Sequence, residues 1–145
     1  MSCSFRGYSV RTQALLGIMA MAAALALGAQ VAHAVAYEEI SAVELKDRID
    51  DKDDTGFLIL DIRDPEDYQA GHLPGAINIP LKTLGYRVYS LDKTREVIAY
   101  CDHGIQSRVA CQVLTSAGFK DVYNLTGGLD AWTYPLEVQN GRASI

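Results

Sequence analysis

The chain has 145 residues, about the length of one domain. It carries 13 Lys+Arg against 18 Asp+Glu, a formal net charge of −5. An acidic domain repels nucleic acid and anionic lipid, so neither is an expected partner.

Met1 to Gln13 holds Arg6 and Arg11 and no acid, and Ala14 to Gly28 is an unbroken apolar run, ALLGIMAMAAALALG. Ala32-His33-Ala34 then places small residues at the two positions a signal peptidase reads. A basic start, an apolar middle and an A-x-A end predict a secretory signal peptide over residues 1–34, cleaved after Ala34, with cleavage after Ala36 as the rival site. The competing reading is an uncleaved membrane anchor, but the run falls short of the ~20 residues that span a bilayer comfortably. No Cys follows the run directly, so a lipid-modified N-terminus is not expected. The compact signal and short chain look bacterial and predict a periplasmic protein that leaves the membrane after cleavage. The domain would then be residues 35–145. Loss of Arg6 and Arg11 leaves 11 Lys+Arg against 18 Asp+Glu there, a charge of −7.

Ser41-Ala42-Val43-Glu44 reads as a capping box, with Ser41 as N-cap, opening a helix to about Ile49. Asp50 to Gly56 is a charged turn. Phe57-Leu58-Ile59-Leu60, ending at Asp61, is a short apolar run that reads as a buried strand. Asp64-Pro65 is expected to cap and start a short helix, with Pro65 at its first position. Gly71 and Pro74-Gly75 break the chain. Ala76 to Ile79 is predicted as a strand closed by Pro80, followed by a weak helix over Leu81 to Tyr89.

Val97 to Tyr100 is the clearest buried strand, and Cys101 stands at its C-terminal end. Asp102 to Gln106 is a tight loop. Ser107 to Ala117 is a helix stopped by Gly118 in the C′ position. Val122 to Leu125 is a strand, Gly127-Gly128 a turn, and Leu129 to Trp132 the start of a last helix. Short apolar strands between helices predict an α/β fold, a parallel sheet covered on both faces. Ligands of such sheets bind beyond the carboxyl ends of the strands, where Cys101 lies.

A thiol between a buried strand and a helix start has two reasons to ionise. The helix N-terminus brings a partial positive charge and free N–H groups. A tight loop can also curl its own amides inward around an anion. Gly104 suits a turn that a side chain would obstruct. The thiolate is the nucleophilic form. A buried structural Cys at a strand end fits the bare pattern about as well, so the surroundings must decide.

Those surroundings resemble the rhodanese family. Leu60 to Tyr68 followed by Gly71 to Pro80 is similar to the family's first signature, and Tyr100 to Ser107 is similar to its active-site loop. Ala117-Gly118-Phe119, Val122 to Leu125 and Gly127 to Trp132 are similar to its C-terminal signature. The resemblance implies a central five-stranded, mainly parallel sheet with helices on both faces. It implies a sulfurtransferase in which Cys101 takes sulfur from thiosulfate or a related donor as a persulfide, with no cofactor, and passes it to a thiol, cyanide or a protein acceptor. Asp102, His103, Gly104, Ile105, Gln106 and Ser107 would form the donor-binding loop.

One departure matters. Many loops of the family carry Arg where this chain has Gln106, which keeps a donor but not the fixed charge. Weaker thiosulfate affinity or another donor is therefore expected, and the alternative is a sulfur-carrier or partner-binding module with negligible turnover. Arg108 stands where it could lend charge to the mouth, although a solvated helix residue is the plainer reading. Asp61 and Arg63 are expected to pair and hold adjacent loops. His72 before its turn and Trp132 are expected to be structural. Cysteine phosphatases of similar architecture need Cys-x5-Arg, and that position is Ser107. Cys101, His103 and Cys111 offer only three metal ligands at no standard spacing, so no metal is expected. A Cys101–Cys111 disulfide, which would shut the site, remains open at this level.

Overall fold

The computed structural model describes residues 37–138. The predicted signal peptide and both candidate cleavage sites lie outside the described residues. Five strands form one sheet: β1 (Glu38–Ile40), β2 (Phe57–Asp61), β3 (Ile77–Asn78), β4 (Glu96–Tyr100) and β5 (Val122–Leu125). Their order is β1-β5-β4-β2-β3, and every adjacent pair is parallel. Four α-helices connect them: α1 (Ala42–Asp50), α2 (Pro65–Ala70), α3 (Leu81–Arg87) and α4 (Gln106–Ser116).

The period-two alternation of the central strands divides the core. Val97, Ala99 and Cys101 pack with Leu60, Ile62, Leu84, Ala110, Cys111 and Leu114, under α3 and α4. Ile98 and Tyr100 face the other way, into a cluster with Ile40, Leu45, Ile59, Leu73, Leu125 and Trp132, under α1. A parallel sheet buried on both faces needs strands apolar at every position. β4 meets that need from Val97 through Tyr100, all fully buried.

Several boundaries differ from the sequence reading. β1 has no strand signature in Glu38-Glu39-Ile40, because an edge strand needs to bury only one face and only Ile40 is buried. β3 pairs over two residues instead of four, through Leu60↔Ile77 and Asp61↔Asn78, and then reaches Pro80. α3 ends at Arg87 and tightens into a 3-10 turn at Val88–Ser90. α4 begins one residue earlier than expected, at Gln106. The last helix is only a 3-10 turn, Gly128–Ala131. Pro135 has no N–H to offer Ala131, so an α-helical ladder cannot continue through it. The chain instead runs on extended, and Glu137 forms an antiparallel bridge with His72.

The caps are mixed. Ser41 accepts a hydrogen bond from the Glu44 N–H at 3.2 Å, the forward half of the capping box. Asp64 occupies the N-cap of α2 with Pro65 next to it, but its side chain makes no capping bond. Its carboxylate pairs with Lys82 at 2.6 Å instead.

Candidate active site

Cys101 leaves the C-terminal end of β4, and the backbone reverses within five residues to enter α4. Gly104 makes the reversal possible, with φ +77°. A Cβ there would stand 2.9 Å from the Gly127 nitrogen and 3.0 Å from the Leu125 carbonyl oxygen. The loop is therefore pressed against the β5 end with no room for a side chain.

Cys101 is 3 % exposed, and it packs in the apolar core under α4. Its other side is polar. The Ser107 hydroxyl lies 3.4 Å from the sulfur, and the amides of Ser107, His103 and Gly104 are turned toward it. Burial opposes ionisation, but the Ser107 hydroxyl and these three amides outweigh it and hold the thiol below its ordinary value. The Ser107 amide belongs to the first turn of α4, so the helix dipole acts in the same direction.

The loop's side chains turn outward. Ile105 is 69 % exposed, and His103 and Gln106 are exposed as well. His103 Nδ1 meets Asp130 Oδ2 at 2.6 Å, which ties the loop to the 3-10 turn. Gln106 lines a cleft of about 510 Å³ together with Arg63, Asp64, Asp67, Leu81, Lys82 and Asp102.

Asp61 and Arg63 form the expected pair at 2.7 Å, both buried. The pair anchors a wider network. Tyr100 donates to Asp61 Oδ2 at 2.6 Å and accepts from the Leu73 N–H at 3.1 Å. Arg63 also donates to the Gly71 carbonyl at 2.7 Å and to Asp102 Oδ1 at 3.2 Å. One guanidinium thus joins the β2 end, the turn before β3 and the Cys101 loop. Burial works against its charge, and Asp61 more than restores it. Tyr100 is pushed up by burial and by Asp61.

Arg108 does not reach the mouth. Its Nε donates to Glu39 Oε1 on β1 at 3.1 Å. The same Glu39 accepts from Asn124 and Thr126. Cys101 and Cys111 are both free thiols. Cys111 is fully buried, donates to the Tyr123 carbonyl at 3.4 Å and is pushed up to about 12 by burial. A neutral, enclosed thiol is a poor nucleophile. In the native protein at pH 8, iodoacetamide should therefore label Cys101 and leave Cys111 untouched, as peptide mass mapping would show. His72 is structural as expected, stacked on Tyr68 with ring centroids 3.8 Å apart. Trp132 packs in the core under α1.

Sequence reasoning passed over three contributors behind the loop. Asn124, fully buried on β5, donates to the Gly104 carbonyl at 3.3 Å. The amides of Leu129 and Asp130 donate to the carbonyls of Cys101 and Asp102, at 2.8 and 2.9 Å. Gly128 allows this contact because a Cβ on it would lie 2.3 Å from the Cys101 carbonyl oxygen. The doubled glycine was the only signal in the sequence, and it read simply as a turn.

The chain is similar to known proteins in sequence and fold. A family model described as the rhodanese-like domain matches residues 41–134. The thiosulfate sulfurtransferase GlpE of Pseudomonas fluorescens is 39 % identical over 90 residues, covering 61 % of this chain and 83 % of its own length. The protein of the same name from Pseudoalteromonas translucida is 35 % identical over 98 residues, covering 68 % of this chain and 90 % of its own length. A crystal structure of a rhodanese-like domain protein from Staphylococcus aureus superimposes with a TM-score of 0.65 at 28 % identity, over 71 % of this chain and 99 % of that one. The solution structure of a rhodanese-like domain from Anabaena gives 0.64 at 34 % identity, over 76 % and 86 %. A strand-end thiol, three converging amides and a matched sequence spanning four of the five strands lead to one conclusion: the chain belongs to the rhodanese-like domain family and is a transferase of the rhodanese type.

Proposed function

We propose that this protein moves sulfane sulfur from a small donor to a thiophilic acceptor through a persulfide on Cys101. The observation that carries this reading is the placement of the Cys101 sulfur at the end of β4, 3.4 Å from the Ser107 hydroxyl, with the Ser107, His103 and Gly104 amides turned toward it. With thiosulfate, the Cys101 thiolate attacks the outer sulfur. A new S–S bond forms, the old one breaks, and sulfite leaves with the bonding pair. Cyanide or a thiolate then attacks the outer sulfur of the persulfide, and the Cys101 thiolate departs. The reaction is covalent catalysis in two steps and needs no cofactor. The inward amides suit both anionic states, since neither the donor nor the persulfide must bring its own counter-charge.

Incubation with thiosulfate should add the mass of one sulfur atom to the protein, and cyanide should remove it with release of thiocyanate. No mass gain with any sulfane donor would overturn the proposal. The residues assigned to the site are Cys101 as nucleophile and the 102–107 loop as cradle, with Asp61 and Arg63 holding the loop in place.

The neutral Gln106 and the exposed Ile105 favour a second reading, a sulfur carrier that docks on a protein partner and turns over small molecules slowly. Gln106→Arg distinguishes the two. It adds a fixed charge to a cleft whose cations, Arg63 and Lys82, are already paired with carboxylates. The variant should raise kcat/KM for thiosulfate by about tenfold, the worth of one charge-assisted hydrogen bond. A wild-type enzyme already as fast as the variant would argue against the carrier reading. The proposed site of action is the periplasm, reached through residues 1–34. N-terminal sequencing of protein from a periplasmic extract should begin at Val35, and a chain beginning at Met1 would contradict it.

A further inference from the structure

We propose that the main-chain N–H of Asp130 is a positioning group for the nucleophile, acting through the single peptide that joins Asp102 to His103. The inference rests on Cys101 being the reacting thiolate. A trans peptide is planar, and its C=O and N–H point in opposite directions. The Asp102 carbonyl is held by the Asp130 N–H at 2.9 Å. The N–H at the other end of that peptide belongs to His103 and is turned to the Cys101 sulfur. A line therefore runs from the 3-10 turn through one hydrogen bond and one planar peptide to an N–H turned toward the sulfur, and a carbonyl so held polarises the N–H at its other end.

The rest of the turn holds this line in place. The Leu129 N–H takes the Cys101 carbonyl at 2.8 Å, so the preceding peptide is also fixed. Gly127 and Gly128 adopt φ +75° and +59°. A Cβ on Gly128 would stand 2.3 Å from the Cys101 oxygen, 2.6 Å from the Asp102 oxygen and 2.6 Å from the Gly104 nitrogen. No residue but glycine allows the turn to approach so closely. The orphan N–H groups that open any helical turn are here directed at the back of the loop, not at solvent. The side chain of Asp130 has a separate partner, His103 Nδ1, and both groups of that pair are largely exposed. The backbone and side-chain contributions of this residue can thus be separated.

The test is the pH dependence of Cys101 alkylation by iodoacetamide in the whole protein. Asp130→Ala keeps the N–H and removes the His103 pair, and its half-point should stay at the wild-type pH. Asp130→Pro removes the N–H, and its half-point should rise by about one unit, which slows alkylation about tenfold below that pH. A folded Asp130→Pro protein with the wild-type half-point overturns the proposal. Should that variant fail to fold, the wild-type protein decides by NMR. The Asp130 and His103 amide protons should shift together along the Cys101 titration, and an Asp130 amide that stays still would overturn the relay. A wild-type half-point no lower than that of an ordinary thiol would instead sink the nucleophile reading itself. The two failures are therefore distinguishable.

Discussion

Replacing Cys101 by serine should lower sulfurtransferase turnover by at least about four orders of magnitude, as expected for loss of a covalent nucleophile, while the protein melts close to the wild-type temperature. The oxygen is slightly smaller than the sulfur and keeps the Ser107 hydroxyl and three amides as partners. No polar group is orphaned, and the sulfur's few core contacts change little. Chemically the change is complete. A neutral hydroxyl does not ionise in the range where the thiolate exists, and no persulfide can form on oxygen. Parallel assays of thiocyanate release and thermal unfolding check both halves. Appreciable turnover in a folded Cys101→Ser protein would move the chemistry elsewhere. In the wild type, kcat/KM should rise with pH and level off below the pH at which an ordinary thiol ionises. The sign follows from the anion being the stabilised form.

Asp61→Ala should destabilise the fold by about 3–5 kcal/mol, the usual cost of leaving a buried charge without its partner. Asp61 is fully buried and Arg63 is 7 % exposed. The aspartate accepts from the Arg63 Nε and Nη2, from the Arg63 main-chain N–H and from the Tyr100 hydroxyl. Its removal takes the acceptor from the Arg63 Nε and the Tyr100 hydroxyl and leaves the guanidinium only the Gly71 carbonyl and the half-exposed Asp102 carboxylate. Urea unfolding should show the loss as a lower midpoint at unchanged slope. Activity in the remaining folded protein should fall as well, since Arg63 is also the link to Asp102 in the loop. A loss below about 1 kcal/mol would mean that water replaces the carboxylate and that the network is a surface-type pair.

The contrast between legible and hidden elements has a physical basis. β2, β4 and β5 were readable because a strand covered on both faces is mostly apolar, with Asp61 and Asn124 as the buried polar exceptions, and α4 because Gly118 closes it at φ +100°. β1 was hidden because its edge position demands one buried residue, Ile40. The last helix was overestimated because Leu129 to Trp132 has local helical character, while Pro135 and the bridge from Glu137 to His72 draw the chain away. At the site, the strand-end thiol and its tight loop were legible from Cys101, Gly104 and the following helix. Arg108 is the exposed helix residue that was the plainer reading, but its partner, Glu39, was not legible because it is distant in sequence.

The sequence by itself determined the alternation of apolar strands and helices, the placement of Cys101 at a strand end, and the loop whose amides are close enough in the chain to surround it. These are local properties, set by periodicity, turn residues and covalent distance. Only the tertiary structure decided which way the loop's peptides face. That orientation depends on Leu129, Asp130 and Asn124, which lie some twenty to thirty residues further along the chain and capture the loop's carbonyls from behind. A peptide plane has two faces and the local sequence does not choose between them. The hydrogen bond on its far side does.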